Sequence, residues 1–274
     1  MSGHDDYAGS ATFDLLNPDG EWLLLLLHGL GGDRQQALGL VKDVTDSRLA
    51  VLAPDLRAHG ESPIVGSAEA FSFDAMVADV RALIDRLRQG SKRTIVAGIS
   101  MGAALALRIA LAGSLDVRGL ILVRPAFDDV PSPPNLAVMS VVARSLQMES
   151  VEDARRLLLD SPQYRAIAGI TPSGAKSVES QLSAPMARER SVRLVEVPKN
   201  VAWRDPGQVQ ALDIPALVIG AERDAMHPID MARRTAGLLS RGRLIEVTPR
   251  DVDQERYNRE IRTAVREEIE SLLA

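Results

Sequence analysis

The 274-residue sequence predicts an α/β protein: a mainly parallel central sheet flanked by helices, with a helical segment inserted before its last strands. Three observations predict it. Short apolar runs alternate with helical stripes through most of the chain, as successive βα units require. The runs from Trp22 onward are dense in Leu, Ile and Val without polar alternation, as expected of strands covered on both faces. One stretch, 126–205, keeps helical periodicity and offers no convincing strand.

In chain order, residues 12–16 and 22–27 open the sheet, and 49–53 make its third strand. Even with Trp22, the leucine run 23–27 falls far short of the roughly 20 residues needed to cross a bilayer. A helix comes next, with Phe73, Met76, Val77, Val80, Leu83, Ile84 and Leu87 at three-and-four spacing, behind a Ser72 cap and ahead of Gly90. Strand 94–97 turns through Gly98-Ile99-Ser100-Met101-Gly102 into an apolar helix, and 117–123 is the next strand. Pro131-Ser132-Pro133-Pro134 then marks a loop, and Pro162, Pro172, Pro185 and Pro198 cut the segment beyond it into short helices. Strands resume at 216–219 and 244–247. Tyr257, Ile261, Val265, Ile269 and Leu272 stripe a terminal helix. The chain thus divides into a first core part, 1–125, a helical cap, 126–205, and a second core part, 206–274.

Composition narrows the function classes. A net charge of −5 gives no electrostatic reason to expect nucleic acid or an anionic membrane as partner. Zero cysteines exclude disulfides, thiolate metal ligands and cysteine nucleophiles. The opening residues are polar and acidic, unlike a secretory signal, so the expectation is a soluble cytoplasmic protein, monomer or homodimer, acting on a small molecule. No two histidines stand at ligand spacing and no acidic calcium loop occurs, so no metal is expected. His28-Gly29-Leu30-Gly31-Gly32 lacks the third spaced glycine of a dinucleotide fingerprint, so no cofactor is expected either.

Four segments carry chemistry. In Gly98-Ile99-Ser100-Met101-Gly102 a serine sits on a tight strand-to-helix turn, where tiny neighbours let its hydroxyl stand clear of the backbone. Leu27-His28-Gly29-Leu30-Gly31-Gly32-Asp33 is a glycine-rich turn after a strand, able to leave backbone N–H groups free. Ala53-Pro54-Asp55-Leu56-Arg57-Ala58-His59-Gly60-Glu61-Ser62 comes after the next strand. Val218-Ile219-Gly220-Ala221-Glu222-Arg223-Asp224 puts a carboxylate just past a strand end. In this order the four segments resemble the α/β-hydrolase fold family with a helical cap. That resemblance implies Ser100 as nucleophile, Asp224 as the acid that orients a histidine, and the N–H groups of Leu30 and Met101 as oxyanion hole. Asp128 and Asp129, after the strand that succeeds the Ser100 helix, are the second choice for the acid, and Asp55 ties down its own loop.

The histidine departs from the family. Its usual loop, here 248–254, contains none, and the chain has four elsewhere. His4 lies in a terminus and is assigned no role. His59 belongs to loop packing. His28 either braces the oxyanion turn or supports the serine directly. His227, three residues after Asp224, either caps the helix beyond it, which has Pro228 in its first turn, or packs beside Asp224, or is a relocated general base. A serine hydroxyl needs a base to be an effective nucleophile, which speaks for the role of base, whereas three residues of separation from Asp224 leave little freedom to place the ring between carboxylate and serine.

The leading expectation is a serine hydrolase acting on an ester, thioester or lactone of a small organic molecule. Scarce aromatic residues suggest a pocket lined by Leu, Met, Val and Ala from the cap, suited to an aliphatic substrate. Two other functions fit the missing histidine: a non-hydrolytic enzyme of lyase or cyclase type on the same scaffold, and a ligand-binding protein with a degenerate triad. The Arg- and Glu-rich face of the last helix is a solvated surface with i,i+4 pairs.

Overall fold

Leu23, Leu25 and Leu27 turn to one side of the sheet and Leu24 and Leu26 to the other, and all five are completely buried. Side chains alternate faces along a strand, so an unbroken leucine run is what two covered faces demand. At about 1.5–3 kcal/mol per buried leucine, this strand is a main contributor to the core. The computed structural model describes residues 7–63 and 65–274, so His4 lies outside the described residues.

The strands are β1 (Phe13–Leu16), β2 (Trp22–Leu27), β3 (Leu49–Pro54), β4 (Arg93–Ile99), β5 (Asp116–Val123), β6 (Ala216–Ala221) and β7 (Gly242–Val247). They form one sheet in the order β1-β3-β2-β4-β5-β6-β7. Edge strand β1 runs antiparallel to β3, pairing Phe13 with Pro54, and every other pairing is parallel. The strand ends extend past the apolar runs. β4 continues through Gly98 and Ile99, paired with Leu122 and Val123, and β6 through Gly220 and Ala221, paired with Glu246 and Val247. Both extensions lead into the candidate site.

The helices are α1 (Tyr7–Ser10), α2 (Arg34–Leu38), α3 (Phe73–Arg86), α4 (Met101–Ala112), α5 (Val138–Ser145), α6 (Val151–Asp160), α7 (Pro162–Ile170), α8 (Pro172–Glu179), α9 (Val192–Glu196), α10 (Pro206–Gln210), α11 (Ile229–Leu238) and α12 (Gln254–Leu273). The α3 stripe docks Phe73, Met76, Val80 and Ile84 on the sheet face shared with α4 and α11. Helices α2 and α12 cover the opposite face, α12 through Tyr257, Ile261, Val265 and Ile269. The Ser72 hydroxyl caps α3 by accepting the Ala75 N–H at 3.2 Å.

Between β5 and β6 the chain forms α5 to α10 and short 3-10 turns, with no strand among the described residues. Its apolar side chains, among them Val142, Leu158, Val178 and Leu194, join the core on the α3 and α4 face. Two buried arginines fasten it over the loop after β3. Arg190 donates to the carbonyls of Gly60 and Ser62, both at 2.8 Å, and Arg193 to that of Ala58 at 2.6 Å. Among the described residues no helix is long and apolar enough to cross a membrane.

Candidate active site

β4 ends in a sharp turn whose centre is Ser100, at φ 56° and ψ −109°. A non-glycine residue in that region costs of order 1–3 kcal/mol and persists only where its surroundings enforce it. Here the Ser100 N–H donates to Val123 O at 2.9 Å, and its carbonyl accepts from the first turn of α4. The two glycines are obligatory for a different reason. A Cβ on Gly98 would overlap the Gly102 carbonyl, and one on Gly102 would overlap that of Leu27. Strand, turn and helix fit together only because both side chains are absent.

The loop after β6 carries Asp224 and His227. One Asp224 oxygen accepts the backbone N–H groups of Met226 and His227, both at 3.1 Å, and so curls the chain back. The curl returns the His227 ring to the other oxygen, where Nδ1–H donates at 2.9 Å. With Nδ1 protonated, Nε2 faces Ser100 3.1 Å away as acceptor of a hydrogen bond from its hydroxyl. A three-residue separation is therefore no obstacle, because one carboxylate holds both the backbone turn and the ring. Pro228 sits one residue ahead of α11, at its N-cap.

Residues from between β5 and β6 hold this loop. Asn135 donates to Met226 O at 2.8 Å. The Thr171 hydroxyl donates to Arg223 O at 2.9 Å and accepts from Ala225 N at 2.8 Å. Arg124, in a left-handed conformation past β5, brings its guanidinium within 3.6 Å of Asp224. Burial disfavours ionisation of Asp224, but the His227 ring, its hydrogen bond and the Arg124 charge outweigh it. They hold its carboxyl well below the usual carboxylate range.

Leu30 and Met101 flank Ser100 from the turn after β2 and the start of α4. Neither backbone N–H donates to an acceptor among the described residues. Gln36 of α2 braces the turn by accepting the Gly29 N–H at 2.8 Å. His28 does not reach Ser100: Nδ1–H donates to Gly29 O at 2.9 Å and Nε2 accepts from Leu56 N–H at 3.0 Å. With both nitrogens on backbone and the ring wholly buried, it braces the loop and has no free atom for the serine. His59 lies beside it, ring centres 4.9 Å apart and planes tilted by 53°, and donates to Arg57 O. Burial pushes both histidines below their ordinary pKa. Asp128 and Asp129 are held by Arg234 at 2.8 Å each, away from the cavity. Asp55, fully buried, accepts from the Arg34 and Glu61 backbone N–H groups and holds its loop.

Ser100, Asp224 and His227 open into a cavity of about 230 Å³ between the strand ends and the helices that precede β6. Leu136, Met139 and Val178 line it as an aliphatic pocket would require, but Gln36, Thr171, Ser173, Ser177 and Gln181 line it too. The aliphatic lining expected from composition is thus corrected. Counting residue types in the inserted segment does not reveal which of them point inward. Among the described residues no group of His, Asp and Glu could hold a metal ion. Arg124, Asn135, Thr171 and Gln36 were not legible as site residues, since none belongs to a recognisable motif.

The sequence model of the family described as serine aminopeptidase, S33, matches residues 18–243. Among curated proteins, lipase LipV of Mycobacterium tuberculosis is 28% identical over 203 residues, covering 73% of this chain and 66% of LipV. Protein ABHD8 of Bos taurus is 26% identical over 223 residues, covering 79% of this chain and 48% of ABHD8. The chain therefore matches less than two thirds of the length of these curated relatives. A malate-bound thermophilic esterase from Thermogutta terrifontis shares the fold with a TM-score of 0.68 at 20% identity, over 96% of this chain and 93% of that one.

Proposed function

This chain belongs to the serine aminopeptidase S33 family of α/β-hydrolases, and from that premise we propose that it is a serine hydrolase of small esters, thioesters or lactones, with His227 as a relocated general base. The observation that carries the proposal is the continuous relay from Asp224 through His227 to Ser100, at 2.9 and 3.1 Å, beside a cavity. Ser100 Oγ attacks the substrate carbonyl while His227 Nε2 takes its proton. The Leu30 and Met101 N–H groups receive the oxyanion, Met101 with the help of the α4 dipole. His227 then protonates the leaving alcohol or thiol, and a water activated by the same nitrogen releases the acid and restores Ser100. Asp224, kept ionised, fixes the Nδ1–H tautomer and stabilises the imidazolium. Residues 126–205 act as a cap that shapes the cavity and pins the His227 loop.

The charges support an ester over a peptide with a free amino end. An aminopeptidase must face the cavity with a carboxylate for the substrate's ammonium group. Of the two carboxylates lining it, Asp224 is engaged by His227, and Glu222 lies 3.6 Å from Arg233.

The test is labelling by a fluorophosphonate probe and turnover of short-chain 4-nitrophenyl esters, by wild type and Ser100→Ala. Wild type is expected to label and turn over, and the variant to do neither. An inert wild type, or a fully active Ser100→Ala, overturns the proposal. Ester binding without labelling favours the non-hydrolytic functions instead.

A further inference from the structure

We propose that the substrate itself carries a free carboxylate, held in the cavity by Arg250. The natural ester or thioester is then a small molecule with a second, unesterified acid group. This inference rests on the hydrolase reading of Ser100.

Arg124, Arg223 and Arg250 all line the cavity. Arg124 is committed to Asp224. Arg223, at the exposed rim, and Arg250, half-buried in the wall, have no carboxylate within ion-pair distance among the described residues. Two acidic neighbours have their nearest partners elsewhere. Glu222 lies beside Arg233. Asp251, adjacent to Arg250 in sequence, turns to α8 and accepts both the N–H and the hydroxyl of Ser173 at 3.0 Å.

That contact also fixes the loop after β7, the segment where the family places its histidine, so that Arg250 is presented to the cavity. Tyr257, buried, lines the same cavity. Burial pushes the phenol pKa up, so its hydroxyl stays protonated and able to donate. A guanidinium that lines the cavity without an ion-pair partner leaves its N–H donors open to a ligand. A carboxylate engages them through two parallel N–H···O bonds, which a neutral ester cannot.

The test uses the full chain and two matched ester pairs. 4-Nitrophenyl hemisuccinate against 4-nitrophenyl butyrate puts the charge on the acyl part, and O-acetylglycolate against ethyl acetate puts it on the alcohol part. In one pair the anionic member is expected to be favoured about tenfold or more in kcat/KM, as for one charge-assisted contact. That ratio is expected to fall towards one in Arg250→Gln and to recover in part in Arg250→Lys. A general loss of activity does not move it, because both members are read on the same variant. Equal treatment of both members in both pairs, or a preference unchanged in Arg250→Gln, overturns the inference. If no ester turns over, the hydrolase reading fails, and binding decides. Succinate is then expected to raise the Tm of Ser100→Ala more than butyrate does, and to lose that advantage when Arg250→Gln is added. No difference between the two acids overturns the inference by that route.

Discussion

Replacing His227 by alanine removes the imidazole nitrogen that lies 3.1 Å from Ser100 Oγ. No other group of the described residues can take over. His28 has both nitrogens on backbone partners, and His59 is buried behind it. Asp224 stays ionised, but its oxygens lie one ring-width away from the serine. The expected loss in kcat is about 10⁴- to 10⁶-fold, or about 5–8 kcal/mol in the barrier, as for removing the base from a serine relay. The fold should survive, because the Met226 and residue-227 backbone N–H groups still bind Asp224. The assay is 4-nitrophenyl acetate hydrolysis with burst analysis, alongside a thermal melt. Added imidazole should restore part of the rate, since the vacated volume opens onto a cavity of about 230 Å³. A His227→Ala variant that melts normally and works within about tenfold of wild type, well above the 10³–10⁴-fold left by binding alone, would show that the proton goes elsewhere.

Other outcomes rest on the same geometry. Asp224→Asn should keep the shape of the site but lower kcat by about 10⁴, because the amide no longer fixes the Nδ1–H tautomer; steady-state kinetics check this. Gly98→Ala and Gly102→Ala should each prevent the elbow from closing, seen as insoluble expression or a lost melting transition, since each Cβ would overlap a backbone carbonyl. The depressed Asp224 pKa means that its stabilisation is full above about pH 3.9 and is lost as pH falls through the lower native value. Arg124→Met weakens that depression, so its acid-unfolding midpoint should move to higher pH, and an unmoved midpoint refutes the Arg124 contribution. His28 and His59 are buried with lowered pKa values, so below about pH 6.5 only the unfolded chain protonates them. Stability should then fall with decreasing pH by up to about 1.4 kcal/mol per pH unit for each histidine, measured as urea midpoints at two pH values. A flat profile from neutral to mildly acidic pH refutes it.

The order of strands and helices, the elbow at Ser100 and the carboxylate at Asp224 were legible in the sequence because each depends on local pattern. Strands buried on both faces need continuous apolar residues, and a turn as tight as 98–102 admits only glycine at its flanks. Those constraints act over a few residues and leave a mark wherever they act. His227 was legible only as a candidate. Whether its ring reaches Ser100 depends on a turn closed by Asp224 and held by Asn135 and Thr171, which are far away in sequence. The pocket lining was misjudged for the same reason: the sequence counts Leu and Val in residues 126–205 but not the direction in which Ser173, Ser177 and Gln181 face.

By itself, then, the sequence determined the fold, the placement of a strained serine and the absence of a histidine from its usual loop. Only the tertiary structure decided which imidazole stands at that serine, which cations face the cavity without partners, and how polar its walls are. The difference is physical. Periodicity and glycine sterics are properties of neighbouring residues, whereas a relay spanning 127 positions in the chain exists only once the sheet has brought its strand ends together.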